Sequence, residues 1–292
     1  MDNISLFEIM YPTFKIDKPV RLIELFAGVG SQAMALRNLG IEFEHHKVVE
    51  FDRFAIASYN AIHDTEFETT DITEVKGQDL QITETDIYIY MLTYSFPCQD
   101  LSVAGNMEGM SRDSGTRSGL LWEVERLLNE TENLPQVLLM ENVPQVISQA
   151  NIEDFQDWVK FLEGKGYSNY TDTLNAKDYG VAQNRNRTFM VSVLGEYNYT
   201  FPRPIPLTKV IADYLEPEVD EKFYINTEKA QELINQLVES GQLEDNGKHG
   251  VILSEQGAKF DKKTDIANTL LSRDYKGFGN QGMNGVVEVE RK

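Results

Sequence analysis

The sequence predicts an α/β fold built around a doubly wound, mostly parallel sheet, followed by a smaller C-terminal region. In residues 1–195, short apolar runs of strand length alternate with segments that have the apolar spacing of amphipathic helices. That alternation is typical of strands joined by crossover helices, which pair in parallel. An apolar content of 41% in 292 residues is sufficient for a buried core. The alternation fades after residue 195, so we divide the chain into residues 1–195 and 196–292.

Five strands and four helices are predicted in the first region. The strands cover residues 20–25, 47–50, 86–91, 136–140 and 188–193. The helices cover residues 31–39, 53–62, 119–129 and 153–162, with Ser31 as the expected cap of the first helix and Gly40 at its end. In open sheets of this kind, ligands bind beyond the carboxyl ends of the strands. The segments that follow the strands are therefore the candidate functional segments.

The first of these segments, here called the glycine turn, consists of Phe26, Ala27, Gly28, Val29 and Gly30. Glycines permit a tight turn and a close approach to a ligand, and the helix that follows offers free backbone N–H groups. Ala33 stands where a dinucleotide fingerprint has its third glycine, and the Gly-Lys-Ser/Thr of a phosphate-binding loop is absent. Glu50, at the end of the second strand, is placed to bind ribose hydroxyls. A ribose without a pyrophosphate favours S-adenosylmethionine over NAD, although strand–glycine–helix turns also arise from packing alone.

The one cysteine of the chain, Cys98, follows the third strand and Pro97. Its position at a strand end, behind a proline, predicts a nucleophile at the mouth of the sheet, whereas a lone cysteine can also be a small buried hydrophobic residue. A single cysteine forms no intramolecular disulfide, which favours a reducing compartment. The sequence has no apolar run of the roughly 18 residues that a membrane span requires and no signal-peptide pattern. We therefore expect a cytoplasmic protein without membrane association.

Polar residues also follow the fourth predicted strand and precede the fifth. Glu141 comes directly after the fourth strand, and Gln183, Arg185 and Arg187 lead into the fifth. If they belong to a strand, alternation points Gln183, Arg185 and Arg187 to one side. We therefore treat Glu141 and the two arginines as candidate site residues, with an ordinary solvated polar edge as the alternative.

Taken in order, these motifs resemble those of the DNA (cytosine-5) methyltransferase family across residues 20–195. The glycine turn is similar to the first motif, residues 97–99 to the catalytic fourth motif, residues 141–143 to the sixth and residues 183–187 to the eighth. The resemblance implies a Rossmann-like, S-adenosylmethionine-dependent fold, with residues 1–195 as the catalytic and cofactor-binding domain and the remainder as an incomplete target-recognition region. It implies methyl transfer to carbon 5 of a flipped-out cytosine in double-stranded DNA, with S-adenosylhomocysteine as product, no metal, and a place in restriction–modification.

The resemblance also implies roles for individual residues. The catalytic residues are Cys98, Glu141, Arg185 and Arg187. The cofactor-binding residues are Phe26, Ala27, Gly28, Val29, Gly30, Glu50, Phe51, Asp71, Ile72, Pro97 and Leu120. Cys98 is implied to add to carbon 6 of the base, Glu141 to bind its N3 edge, and the arginines to hold its O2 edge and the active-site loop. Residues 100–118, rich in serine and glycine, are expected to form a mobile loop that closes over the base, with an ordinary surface loop as the alternative.

The C-terminal region is expected to recognise the DNA target. Residues 201–206 are proline-rich and mark a boundary, and residues 227–237 have amphipathic helical spacing. Residues 259–263 and 272–279 mix basic, aromatic and glycine residues, and by position they resemble the recognition region, which reads base edges in the major groove. A basic loop without a partner is the alternative. The net charge of −20 argues against broad affinity for nucleic acid but permits a local basic groove.

The family's ninth and tenth motifs have no counterpart in the last residues of this sequence. We therefore expect a shortened or naturally truncated chain, or half of a split enzyme with a separate C-terminal subunit, and poor methyl transfer by residues 1–292 alone. Two other classes stay open. One is an inactive remnant that binds DNA or a partner without turnover. The other is a cysteine enzyme acting on a free nucleotide, resembling thymidylate synthase, but no run of phosphate-binding arginines surrounds Cys98.

Overall fold

A computed structural model describes most of the first two thirds of the chain and separate parts of the last third. The described residues are 12–97, 110–111, 118–216, 219–223, the helical positions 228, 232, 235 and 239, and residues 251–256, 259–263, 266–269 and 284–287. Within them, the chain divides into two compact units. Unit 1 comprises Met1–Thr173 and Arg187–Pro202, and unit 2 comprises Leu174–Asn186 and Arg203–Lys292. The functional division at residue 195 stays a prediction.

Unit 1 is built on a six-stranded sheet. Its strands are β1 (Val20–Leu25), β2 (Phe43–Val49), β3 (Ile89–Tyr94), β4 (Val137–Asn142), β5 (Tyr167–Asn175) and β7 (Asn186–Leu194). The order across the sheet is β2-β1-β3-β4-β7-β5, with β1 parallel to β2 and β3, β3 parallel to β4, and β7 antiparallel to β4. The chain therefore winds outward in both directions from β1, which confirms the predicted doubly wound, mostly parallel sheet.

Four α-helices accompany the sheet: α1 (Ser31–Asn38), α2 (Arg53–His63), α3 (Leu121–Glu130) and α4 (Ile152–Gly164). Short 3-10 turns lie at Gly77–Leu80, Ser118–Leu120, Pro144–Ile147, Ala176–Asp178, Ile211–Tyr214 and Glu221–Phe223. The predicted helices are confirmed with small shifts at their ends. The expected capping by Ser31 is wrong, because Ser31 is already helical and the cap is Gly30 in the left-handed conformation. Asp52 does cap α2, accepting hydrogen bonds from the backbone of Phe54 and Ala55.

The core explains why the central strands are so apolar. Val20 and Leu22 of β1 pack with α1 on one face of the sheet, while Ile23 and Leu25 pack into the largest apolar cluster. A strand covered on both faces needs apolar residues at successive positions, and the sequences of β1 and β3 have this pattern. Trp158 of α4 is fully buried in the largest cluster, where its indole N–H donates to the Tyr94 hydroxyl at 3.0 Å.

Several predicted strand features differ from the structure. The third strand was predicted at residues 86–91 but runs over Ile89–Tyr94, and the second was predicted at 47–50 but begins at Phe43. β5 was not among the predicted strands, since its sequence YSNYTDTLN is polar and much of it is partly exposed. The alternation predicted for Gln183, Arg185 and Arg187 is wrong as a continuous strand. Gln183 lies in β6 (Gln183–Asn184), Arg187 lies in β7, and Arg185 falls between them.

In unit 2, three strands form an antiparallel sheet of order β11-β8-β9: β8 (Val251–Gln256), β9 (Lys259–Lys263) and β11 (Asn284–Val287). β6 pairs in parallel with β10 (Ala267–Asn268). The helix predicted for residues 227–237 agrees with the helical positions that are described there. Residues 272–279 lie outside the described residues. No helix in the described parts of the chain is long and apolar enough to cross a membrane.

Candidate active site

The parallel strands of unit 1 bring their carboxyl ends to one edge of the sheet. The glycine turn follows β1, Glu50 follows β2, and the segment 95–97 follows β3. Glu141 and Asn142 are the last two residues of β4. Because β7 is antiparallel to β4, with Thr188 opposite Asn142, the first residues of β7 lie at the same edge. Cys98 and Gln99 lie outside the described residues, directly after this segment.

The glycine turn combines an open side with a packed side. Phe26, Gly28 and Gly30 all have positive φ angles, of 57°, 56° and 78°. A Cβ built on Gly28 would meet nothing within 4 Å, whereas one on Gly30 would lie 2.3 Å from Nε2 of His63 and 2.6 Å from Cε2 of Tyr59. Gly28 thus leaves its backbone accessible, while Gly30 is required by the close approach of α2.

Glu50 is held by backbone donors on both of its carboxylate oxygens. The N–H of Gly28 donates to Oε2 and the N–H of Asp52 to Oε1, each at 2.8 Å. The carboxylate therefore has a fixed orientation between the glycine turn and the start of α2, and each oxygen has further lone-pair capacity for a ligand hydroxyl. The neighbouring Phe51 is 75% exposed, which is unusual for a phenyl ring and suits a stacking surface.

The other predicted cofactor residues lie in mixed environments. The Thr70 N–H donates to the carbonyl of Glu50 at 2.8 Å and so ties the Asp71 segment to the end of β2. Oδ1 of Asp71 accepts from the N–H and hydroxyl of Thr73. The Ile72 side chain is buried in the core, and Leu120 packs against it from the 3-10 turn before α3. The structure therefore leaves Ile72 only its backbone for contact with a ligand.

Three side chains restrain the segment that leads into Cys98, two of them through its backbone and one through the Ser95 side chain. Nδ2 of Asn142 donates to the Phe96 carbonyl at 3.0 Å, and the Ser118 hydroxyl donates to the Pro97 carbonyl at 2.9 Å. Nε2 of Gln32, in the first turn of α1, donates to Oγ of Ser95 at 3.1 Å. Both Asn142 and Ser118 are buried, at 3% and 0% exposure, so these bonds are shielded from water. The segment that precedes Cys98 is thus held from three elements.

Glu141 and Arg187 form an ion pair at this edge. Nε of Arg187 lies 2.8 Å from Oε1 of Glu141, and the two side chains are only 18% and 24% exposed. Glu141 faces Phe189 across the β4–β7 ladder. Arg187 lies two residues before Phe189 in β7 and therefore on the same face of the sheet as Glu141. Arg185 belongs to unit 2, where its N–H donates to Oδ1 of Asn175 at 3.1 Å. Within unit 1, the structure therefore brings Arg187 to Glu141, and a role for Arg185 stays a prediction.

The predicted mobile loop contains a fixed point. Met110 is fully buried, and its carbonyl accepts from the Trp122 indole N–H at 2.8 Å. Beside it, the Ser111 hydroxyl donates to Oδ2 of Asp154 at 3.0 Å. Met110 and Ser111 therefore contact the rest of unit 1, and the mobile loop predicted for residues 100–118 stays a prediction. Residues 98–109 and 112–117 lie outside the described residues.

Sequence reasoning missed Gln32 and Ser118 altogether, and it left Asn142 without a role. The only signal for Asn142 was its place next to Glu141. Among the described residues, no group of three or more His, Cys, Asp or Glu side chains is arranged to hold a metal ion.

Comparison with known proteins settles the family. The family model described as C-5 cytosine-specific DNA methylase matches residues 20–282. The chain belongs to this family. It is 36% identical over 263 residues to the orphan methyltransferase M.SssI of Spiroplasma monobiae, covering 72% of this chain and 68% of that protein. It is 31% identical over 267 residues to the type II methyltransferase M2.ScrFI of Lactococcus lactis subsp. cremoris, covering 73% of this chain and 72% of that protein.

Solved structures agree on the fold of this C-5 cytosine DNA methyltransferase. The Dnmt2 methyltransferase of S. pombe has a TM-score of 0.64 at 21% identity, covering 91% of this chain and 75% of that one. The Entamoeba histolytica methyltransferase EhMeth has a TM-score of 0.58 at 18% identity, covering 78% and 68%. Family membership makes the reaction cytosine-5 methylation of DNA, and the edge of the sheet described above is where its chemistry is to be sought.

Proposed function

We propose that the enzyme transfers a methyl group from S-adenosylmethionine to carbon 5 of a cytosine flipped out of duplex DNA, through a covalent adduct with Cys98. One observation carries the proposal. Asn142 clamps the backbone two residues before Cys98, and its neighbour Glu141 presents a carboxylate paired with Arg187. A single strand end therefore positions both the approach to the thiol and a group that can bind the ring.

The residues at the ends of β1 and β2 fit S-adenosylmethionine. The Glu50 carboxylate is oriented to accept hydrogen bonds from ribose hydroxyls, and the exposed ring of Phe51 offers a face for the adenine. The accessible backbone at Gly28 suits the methionine end, with Asp71 and the backbone of Ile72 at the adenine edge and Pro97 and Leu120 completing the pocket. When bound, the cofactor supplies an electrophilic methyl on a sulfonium.

The chemistry of cytosine explains why a thiol is needed. Carbon 5 is too electron-poor to attack a methyl sulfonium directly, so the Cys98 thiolate adds to carbon 6 and makes carbon 5 part of a nucleophilic enamine. Glu141 binds the N3 edge and stabilises the charge that develops there, while Arg187 orients Glu141 and the O2 edge. After methylation, carbon 5 loses its proton to a base and the thiolate leaves carbon 6, restoring the aromatic ring and the enzyme. The target carbon is unreachable inside a duplex, so the base must leave the stack.

Trapping the adduct tests the proposed nucleophile. Duplex DNA with 5-fluorocytosine at the target position is incubated with the enzyme and S-adenosylmethionine, and the mixture is analysed by denaturing electrophoresis and peptide mass mapping. Fluorine cannot leave as a proton, so we expect a stable complex linked through Cys98. Cys98→Ser and DNA with ordinary cytosine serve as controls that form none. A linked complex that survives Cys98→Ser would contradict the assignment.

We further propose that residues 196–292 recognise the DNA target. Support comes from β9, which contributes Lys259, Lys262 and Lys263 to the edge of the β11-β8-β9 sheet. Lysine ammonium groups bind phosphates, and each phosphate contact steepens the slope of log affinity against log salt concentration by about 0.9. A Lys262→Gln, Lys263→Gln double variant should weaken DNA binding and flatten its salt dependence while S-adenosylmethionine affinity is retained. Unchanged DNA affinity would place recognition elsewhere.

A further inference from the structure

A group of aromatic and charged residues, three of them buried, packs behind the glycine turn and has no part in the chemistry proposed above. It consists of Glu24 on β1, Arg37 on α1, His45 on β2, and Tyr59 and His63 on α2, and is called here the histidine cluster. Tyr59, Glu24 and His63 are 0%, 1% and 8% exposed. Burying this many polar groups is costly unless they bind one another, so their hydrogen bonds define how each is protonated.

The contact between Arg37 and His63 fixes the tautomer of the imidazole. Nη2 of Arg37 lies 2.8 Å from Nδ1 of His63. A guanidinium only donates, so Nδ1 must accept and carries no hydrogen. The ring hydrogen is therefore on Nε2, which lies 3.1 Å from the carbonyl oxygen of Val29. His63 thus donates to the backbone of the glycine turn, and Arg37 determines that it does.

The remaining members of the cluster keep the His63 ring in place. The Tyr59 ring is 4.5 Å from the His63 ring, and the His45 ring is 4.9 Å away. Tyr59 donates its hydroxyl hydrogen to Glu24 and contacts Nδ1 of His45. Burial, together with the nearby His63 and Arg37, lowers the pKa of His45 to about 4, so His45 is neutral near pH 7 and donates to Tyr59. Tyr59 and His45 therefore hold the His63 imidazole against the turn from its other side.

The glycine turn needs such support. Three of its five residues have positive φ angles, and Phe26 is not a glycine, so its conformation is strained. Strained backbone persists only where the surrounding structure holds it. Elsewhere the turn is tied by the N–H of Ala27 to the Val49 carbonyl at 3.2 Å and by the N–H of Gly28 to Glu50. The bond from His63 restrains the other half of the turn, where Gly30 touches the imidazole.

We propose that His63 is a positioning residue for the cofactor, which holds the Val29 carbonyl through its Nε2–H group in the tautomer that Arg37 imposes. The inference rests on the proposed binding of S-adenosylmethionine at the glycine turn. A turn fixed in this way presents the Gly28 backbone in one conformation, so the ligand does not have to order it on binding.

The test compares two substitutions that differ in one donor. His63→Phe keeps a ring but has no N–H, whereas His63→Gln places an amide N–H near the position of Nε2. Calorimetry on the full chain should show S-adenosylmethionine affinity about 3- to 10-fold weaker for His63→Phe, the scale of one hydrogen bond, and largely restored for His63→Gln. If His63 only filled space, His63→Phe, which keeps a ring, should bind S-adenosylmethionine at least as well as His63→Gln, which keeps only the N–H donor.

His46 provides a matched control on β2. Its Nε2 lies 3.1 Å from the Leu80 carbonyl, so His46→Phe removes a similar ring-to-backbone contact away from the turn. We expect His46→Phe to lower the melting temperature as His63→Phe does but to leave S-adenosylmethionine affinity unchanged. Arg37→Met retains His63 but removes the donor that keeps the hydrogen off Nδ1, so both tautomers should be populated. It should weaken S-adenosylmethionine binding less than His63→Phe does.

A second readout needs no cofactor. Long-range proton–nitrogen NMR correlations of the ligand-free protein should show His63 as the Nε2–H tautomer, with a mixture of tautomers in Arg37→Met. A dominant Nδ1–H form in the wild type would overturn the inference. If the wild type binds S-adenosylmethionine and His63→Phe binds it equally well, the positioning role alone fails. If the wild type does not bind it, the proposed function fails as well.

Discussion

The two halves of the functional edge are held by different kinds of groups. At the ends of β1 and β2, the cofactor half, backbone N–H groups of Gly28 and Asp52 orient the Glu50 carboxylate. At the ends of β3 and β4 and the start of β7, the reaction half, side chains supply the restraint. Asn142 and Ser118 bind backbone carbonyls, and Arg187 binds Glu141.

This difference predicts how each half responds to substitution. A backbone donor is present whatever residue carries it, so the cofactor half depends on Glu50 itself and on the path of the chain. The reaction half depends on the identity of several side chains that are distant in sequence, and each is partly or fully shielded from water. We therefore expect single substitutions in the reaction half to have larger effects on the rate than those in the cofactor half have on affinity.

The largest effect is expected from Glu141→Gln. The amide keeps the size of the side chain but removes the charge that pairs with Arg187 and that we propose stabilises N3 of the base. The methylation rate should fall by about 10²–10⁴-fold, the range of a lost general acid–base group, with S-adenosylmethionine affinity unchanged. Single-turnover transfer of a labelled methyl group measures it. The exposed Glu132, substituted in the same way, is the control and should retain the wild-type rate.

Asn142→Asp should be next in size. The substitution replaces the N–H donor with a carboxylate oxygen facing the Phe96 carbonyl, at a position 3% exposed. Displacing the backbone before Cys98 by about 1 Å should lower the rate on the order of 100-fold. Asn133→Asp is the control, because Nδ2 of Asn133 donates to the Ile82 carbonyl at 3.0 Å away from the edge. Both variants should lose stability in urea unfolding, and only Asn142→Asp should lose rate per folded molecule; equal rates would show that this clamp is dispensable.

Glu50→Ala tests the cofactor half. Loss of the carboxylate should weaken S-adenosylmethionine binding by about 1–3 kcal/mol, with Glu50→Gln intermediate because one acceptor oxygen remains. Glu130→Ala is the matched control, since Oε2 of Glu130 likewise accepts a backbone N–H, that of Gly77 at 2.9 Å. Calorimetry should show wild-type affinity for the Glu130 variant. Unchanged affinity in Glu50→Ala would mean that the ribose is held elsewhere.

The smallest effect is expected at Phe51. Because its ring is 75% exposed, Phe51→Ala should leave the melting temperature unchanged and weaken S-adenosylmethionine binding by about 0.5–1.5 kcal/mol, the scale of an aromatic contact. Phe54, 67% exposed and three residues further along, provides the comparison. Phe54→Ala should bind with wild-type affinity. If both variants weaken binding equally, a specific stacking role for Phe51 is lost.

The sheet could be predicted because its central strands have a recognisable sequence pattern. β1, β3 and β4 are buried on both faces and read as apolar runs of strand length. β5 could not be found in this way, since its polar sequence has no face that must be buried along its whole length. The N-cap of α1 was predicted wrongly because serine is a preferred N-cap residue, whereas in the structure the left-handed Gly30 occupies the N-cap position.

The site divides along a similar line. Glu50 and Glu141 could be picked from the sequence because each stands where a strand ends, whereas the ion pair of Glu141 with Arg187 was found only in the structure. Gln32, Ser118 and His63 could not, since their roles come from contacts with residues distant in the chain. His63, for example, reaches Val29 only because α2 packs against the glycine turn. Such partners are set by tertiary structure and leave no local pattern.

The settings of the two tryptophans offer a way to observe this enzyme without labelling it. Thiol-reactive dyes are unsuitable, because the only cysteine is the proposed nucleophile. Trp158 is enclosed in the core, whereas the Trp122 indole is bonded to the Met110 carbonyl. In a Trp158→Phe variant the tryptophan fluorescence, excited selectively over that of the tyrosines, would come from Trp122 alone. Its emission maximum would then report whether the hydrogen bond from the Trp122 indole to the Met110 carbonyl is formed. The measurement is made in solution and in real time, with the Cys98 thiol unmodified.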